Sequence, residues 1–216
     1  MTQAQSKTRM VETGTAIVKE DPDNLPMNLI RANSTVGSMF DLMTQTLYNA
    51  RTFANEPETI HAVRCACRLT KLGFDETTVS AMLCHKIIRH TLKPHLIVLL
   101  ELETNADYET AKIIERCSFI PQTETPQDYL DKLREYIKLD WRILPIIGAD
   151  WEDELLIMRS GRNYRYSSEI KLMTEILPSI EQDWGYWRTF VPADHKHQLD
   201  AVWSNVFFLA QEEEII

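Results

Sequence analysis

No window of the 216-residue sequence reaches the roughly 18 uninterrupted apolar residues that a membrane-crossing helix needs, so no membrane association is expected. The longest apolar run, Leu96 to Leu100, reads as a piece of buried helix. Cysteine is scarce. Cys65, Cys67, Cys84 and Cys117 form no CxxC pair and no even spacing, which argues against a disulfide ladder or a zinc knuckle and for a reducing, cytoplasmic setting. The opening MTQAQSKTRM lacks the apolar core of a signal peptide. Basic charge is also short: 23 Lys and Arg stand against 32 Asp and Glu, a formal net charge of -9. Such a field repels phosphate backbones and disfavours non-specific nucleic-acid binding, although an anionic nucleotide can still bind in a locally basic cleft. No internal repeat or low-complexity tract is present.

What is present is ordinary globular material, 44% hydrophobic and 25% charged, enough for one domain with a full core. Residues 1–27 are polar and broken by Pro22 and Pro26, an extended or mobile arm, and residues 28–216 form a single helical domain. Met39, Phe40, Met43, Leu47 and Ala50 recur at helical steps after Ser34, and Ile60, Val63 and Cys67 do so before Gly73. The spacing predicts a third helix from Asp75 to Pro94 carrying His85 in its apolar stretch, then two short helices over 94–102 and 107–117. A long helix over 129–144 is expected to kink at Pro145 and Gly148, and further helices cover 152–158, 168–180 and 199–211. The fold class is therefore all-α.

One constellation stands out: His61 on one helix, His85 and Lys86 on the next, and Asp150 much later. Imidazole and carboxylate groups from separate helices converge in bundle cores where such proteins hold metals. The segments EPETIHAVRCA and GFDETTVSAMLCHKIIRHT, and DWRILPIIGAD from Asp140 to Asp150, resemble the HD-domain superfamily. Within it they are similar to the hydrolase domain of the RelA/SpoT family, which acts on guanosine alarmones. The resemblance spans about half the chain. It implies an HD-type helical bundle without the synthetase domain of the long family members. It puts His61 and His85 at the two metal histidines and Asp150 at the last metal ligand.

The same alignment exposes departures. Lys86 stands where the family has its metal-bridging aspartate, and Arg89 and His90 replace the catalytic Glu-Asp pair. Ile147 replaces the lysine before the final Ala-Asp, and Glu154 the substrate-facing asparagine. An ammonium about 4 Å from a divalent ion opposes its binding by about 8 kcal/mol at an effective dielectric near 20. On these grounds Lys86 is expected to block the site and lie near Asp150, supplying the charge a metal would have provided, and no cofactor is expected.

The leading expectation is thus a catalytically degenerate HD-fold protein that acts by binding a protein partner or a nucleotide. The alternative is a phosphohydrolase of a nucleotide or alarmone using Mn2+ or another divalent metal, with His61, His85 and Asp150 as ligands and Glu154, Asp153 or His90 as acid-base groups. A further alternative is a structural or assembly component, phage-encoded and in the host cytoplasm, with a defined homo-oligomer. Arg159, Arg162, Tyr164 and Arg165 form a candidate phosphate or base site, or else a solvated loop. Trp184, Tyr186, Trp187 and Phe190 either pack the last helix or anchor an interface. His90 and His95 read as surface residues, and His195 and His197 either as a solvated turn or as a metal-chelating pair.

Overall fold

The computed structural model describes residues 34–160 and 167–216. The proposed arm over residues 1–27, and with it Arg162, Tyr164 and Arg165, lies outside the described residues. The helices are α1 (Ser34–Thr46), α2 (Glu58–Lys71), α3 (Glu76–Cys84), α4 (Ile87–His90), α5 (His95–Asn105), α6 (Tyr108–Cys117), α7 (Pro126–Tyr136), α8 (Ile143–Ser160), α9 (Ser168–Trp187) and α10 (Lys196–Glu212). Among the described residues the only ladder pairing is an isolated bridge between Arg51 and Pro57, so the all-α expectation holds. No helix among them is long and apolar enough to cross a membrane.

Polar caps set where the helices begin. Asp75 accepts from the Thr78 amide and Asp107 from the Thr110 amide, each at 2.7 Å. Thr125 and Asp128 form a reciprocal capping box with Pro126 in the first turn. Gly73 ends α2 at φ 81°, a left-handed conformation that glycine adopts without strain.

α8 is the central element, packing on α10, α2, α3, α6 and α9. Its contact with α10 is the most extensive, and Gly148 is what permits it. A Cβ there would lie 2.6 Å from Val202 Cγ1 and 2.9 Å from Trp203 Nε1. The Trp203 indole in turn donates to the Leu144 carbonyl at 3.0 Å. Trp203 also packs against Trp151, Trp184 and Phe207.

Three local expectations are corrected. The predicted kink at Pro145 and Gly148 is absent, because α7 already ends at Tyr136 and Pro145 falls in the first turn of α8, where the missing amide proton has no helical acceptor to lose. The predicted helix from Asp75 to Pro94 is broken at His85 and Lys86. There Ser118 Oγ donates to the His85 carbonyl at 2.9 Å, and the Lys86 side chain turns inward. The run Leu96 to Leu100 is helical, but Leu96, Ile97 and Leu100 are exposed.

Candidate functional site

α2, the α3–α4 break and α8 deliver their polar side chains to one buried point. His61 and Glu58 share a face of α2, being three residues apart, and Arg64 is one turn further on. Asp150, Asp153 and Glu154 follow the same logic on α8. His85 and Lys86 enter from the break between α3 and α4.

Asp150 Oδ1 is the hub. It lies 2.8 Å from His61 Nε2, 3.1 Å from His85 Nε2 and 2.9 Å from Lys86 Nζ. Lys86 Nζ also donates to Glu154 Oε1 at 2.5 Å and stands 3.9 Å from Glu58 Oε2. The lysine is 6% exposed, so its ammonium is satisfied by carboxylates and not by solvent. Burial opposes its charge, but Asp150, Glu154 and Glu58 hold its pKa well above the ordinary lysine value.

The histidines are in different states. His61 faces a carboxylate oxygen from each ring nitrogen, Asp150 from Nε2 and Asp153 from Nδ1 at 2.7 Å. A carboxylate only accepts, so the ring donates twice and is an imidazolium. Burial and the Lys86 ammonium work against this charge, while Cys65, with its sulfur 3.9 Å from both ring nitrogens, and the bonds to Asp150 and Asp153 raise the pKa well above the histidine range. Arg64 completes this side, bridging Asp153 to Glu56 with bonds of 2.6–2.8 Å.

His85 donates from Nδ1 to the Met82 carbonyl at 2.7 Å. Burial outweighs the pull of Asp150 and holds it below the usual histidine pKa. Its Nε2 lies 3.1 Å from Asp150 Oδ1, and the Lys86 ammonium lies 2.9 Å from the same oxygen.

The carboxylates divide in the same way. Burial is offset by Lys86 and His90, and Glu58 falls to about 2. Asp150 is held well below the carboxylate range by Lys86 and the histidines in spite of burial. Burial and the adjacent Asp150 charge push Glu154 up to about 7 even with Lys86 bonded to it. Two partial metal sets exist here, His61 with His85 and Asp150, and His61 with Cys65 and Asp153, each with ligand atoms within 4.8 Å. In each set a cation would have to displace a proton that His61 shares with a carboxylate, and in the first the Lys86 ammonium already lies on the shared oxygen.

The space beside the cluster is small. A cavity of about 30 Å3, bordered by Lys86, Arg89, Ser118, Tyr129, Glu154 and Glu169, has room for a water or two. Arg89 does not face open space either, since it binds Glu169 at 2.6 Å and Ser168 at 2.9 Å.

No family model matches the sequence. No curated protein matches it either. A solved structure does match in three dimensions: a metazoan ortholog of SpoT, reported to hydrolyse ppGpp and to play a role in starvation responses. It superposes with a TM-score of 0.59 over 85% of this chain and 98% of its own, at 13% identity. The fold is HD-like. At that identity the likeness establishes the bundle and leaves the chemistry to the residues of this chain.

Within the HD-like bundle, His61, His85, Lys86, Asp150, Asp153 and Glu154 come together, and His90 reaches the edge, 3.5 Å from Glu58. Glu58 and Arg64 belong to the cluster and were not singled out from sequence. The signal was there, as each lies three residues from His61 on the same helix face. Arg159 is exposed at the end of α8, away from the cluster. In the aromatic group, Trp187 is buried and Trp184 packs on Trp203 and Phe207, while Tyr186 is exposed and meets Phe190 edge to face. His95 pairs with Glu115 on the surface, and His195 stacks on Trp141.

Proposed function

We propose that this chain is a catalytically degenerate HD-fold protein that acts by binding, with Lys86 as a built-in cation in place of a divalent metal. The observation that carries this is the buried Lys86 ammonium, 2.9 Å from Asp150 and 2.5 Å from Glu154. A charge there removes the affinity for a second, divalent one, and the protonated His61 removes a ligand. A protein partner is favoured over a nucleotide. The cavity at the cluster is about 30 Å3, against the several hundred Å3 that a small-molecule pocket encloses.

The second reading is a metal-dependent phosphohydrolase of a nucleotide or alarmone. It is favoured by the convergence of His61, His85 and Asp150 and by the ppGpp-hydrolysing relative of the same fold. Elemental analysis of the purified chain, with assays of pyrophosphate release from ppGpp in added Mn2+, separates the two. The degenerate reading expects substoichiometric metal and no release above buffer. Stoichiometric manganese, zinc or iron, with release that disappears in His85→Ala, would establish the hydrolase instead.

A further inference from the structure

α5 is apolar around most of its circumference, the pattern of a helix buried on all sides, yet among the described residues its main packing is on α6, α1 and α4. Val98 and Leu102 face the core. On the opposite side Leu96, Ile97 and Leu100 are 75%, 44% and 57% exposed, and Leu92, just before the helix, is 105% exposed. Together they present on the order of 500 Å2, as large as the largest patches that monomers leave uncovered.

The charges bordering this face are self-complementary. Leu96 and Leu100 lie one turn apart on the same side of α5, so a twofold axis level with position 98 would set Leu96 of one copy against Leu100 of the other. The same operation brings Lys93, just before the helix, opposite Glu103 near its end. Glu103 is exposed, and Lys93 is held by Glu101 of its own chain at 2.7 Å, which fixes its ammonium beside the apolar stripe.

We infer that this face is the contact between two copies of the chain, α5 packing antiparallel on α5 with leucines at the centre and Lys93–Glu103 pairs at both ends. The area covered is on the order of 1,000 Å2 in all, the lower bound for a specific interface. The expected result is therefore a reversible dimer in the micromolar range. The apolar centre meets no formal charge, so raised salt leaves the leucine contact in place while it screens both the -9 net charge and the end pairs. Pairing through this face does not depend on the state of Lys86.

The test is sedimentation equilibrium or light scattering after size exclusion on the full chain at 1–100 μM. The expected species is a dimer of the 25.1 kDa chain. Leu100→Glu should weaken it at least a hundredfold without loss of helical circular dichroism, since the side chain is exposed. Glu103→Lys should weaken it about tenfold at low salt and much less at 1 M salt, where the Debye length is about 3 Å. A chain that stays monomeric at 100 μM overturns the pairing, including the case in which Leu100→Glu instead abolishes capture of a different protein. A dimer indifferent to both substitutions overturns it as well.

Discussion

Replacing Lys86 by methionine keeps the volume of the side chain and removes its charge, which isolates what the ammonium contributes. In the wild type one cation offsets three carboxylates, Asp150, Glu154 and Glu58, at 2.9, 2.5 and 3.9 Å. Removing one member of a buried ion pair costs about 3–5 kcal/mol, because the partner is left charged and desolvated. The lower end applies near neutral pH. Glu154, already at about 7, gains a proton once the lysine is gone, while Asp150 keeps His61 and His85. For a chain of this size each kcal/mol lowers Tm by about 2–4 °C, so the loss is about 6–12 °C. The difference between K86M and wild type should widen above pH 7, where Glu154 of the wild type ionises against Lys86 and that of the variant has no cation to face. Calorimetry at pH 6 and 8.5, with urea melts for the free energy, reads both. A K86M chain within 1 kcal/mol of wild type at both pH values would refute the role of Lys86 as the internal counter-ion.

Lys86→Asp puts a carboxylate at this position. It should be less stable than K86M without metal and be rescued by Mn2+, each tenfold rise in free metal above Kd adding about 1.4 kcal/mol, with no such rescue of the wild type. An equal response of the wild type to Mn2+ would show that Lys86 does not exclude the ion. Glu58, lowered to about 2, contributes stability that is present above its unfolded pKa near 4.3 and is lost as pH falls towards 2, up to about 3 kcal/mol. Glu58→Gln should therefore melt lower at neutral pH and show a flatter acid limb; an unchanged limb in urea melts from pH 5 to 2 contradicts the assignment. Gly148→Ala forces a Cβ onto Val202 and Trp203 and should cost about 1–3 kcal/mol by overpacking, visible as a lower urea midpoint at unchanged slope.

Much of the site was legible in the sequence because its parts lie in short segments that are local in the chain. His61, His85, Lys86 and Asp150 each sit in a recognisable segment, and Lys86 itself carried the expectation of a blocked site. Glu58 and Arg64 escaped because α2 was read for its apolar stripe, while the polar face that matters is set by which helices lie opposite. The helix break at His85 escaped for a related reason: Ser118, 33 residues away, takes the carbonyl that continues a helix. Pro145 is a kink in mid-helix and harmless in a first turn, and pattern alone placed the helix start too early.

The leucine run at 96–100 shows the same division most plainly. Sequence by itself determined that the chain is a helical domain, that it is acidic, and that His61, His85, Lys86 and Asp150 form its candidate site. Tertiary structure decided which face of α5 meets water, that Lys86 turns inward to Asp150 and Glu154, that His61 is clamped between two carboxylates, and that about 30 Å3 is left beside them. The reason is physical. Helix and cap preferences depend on neighbours within a turn, whereas burial and the strength of a charge pair depend on distance and water access, which exist only once the helices have packed.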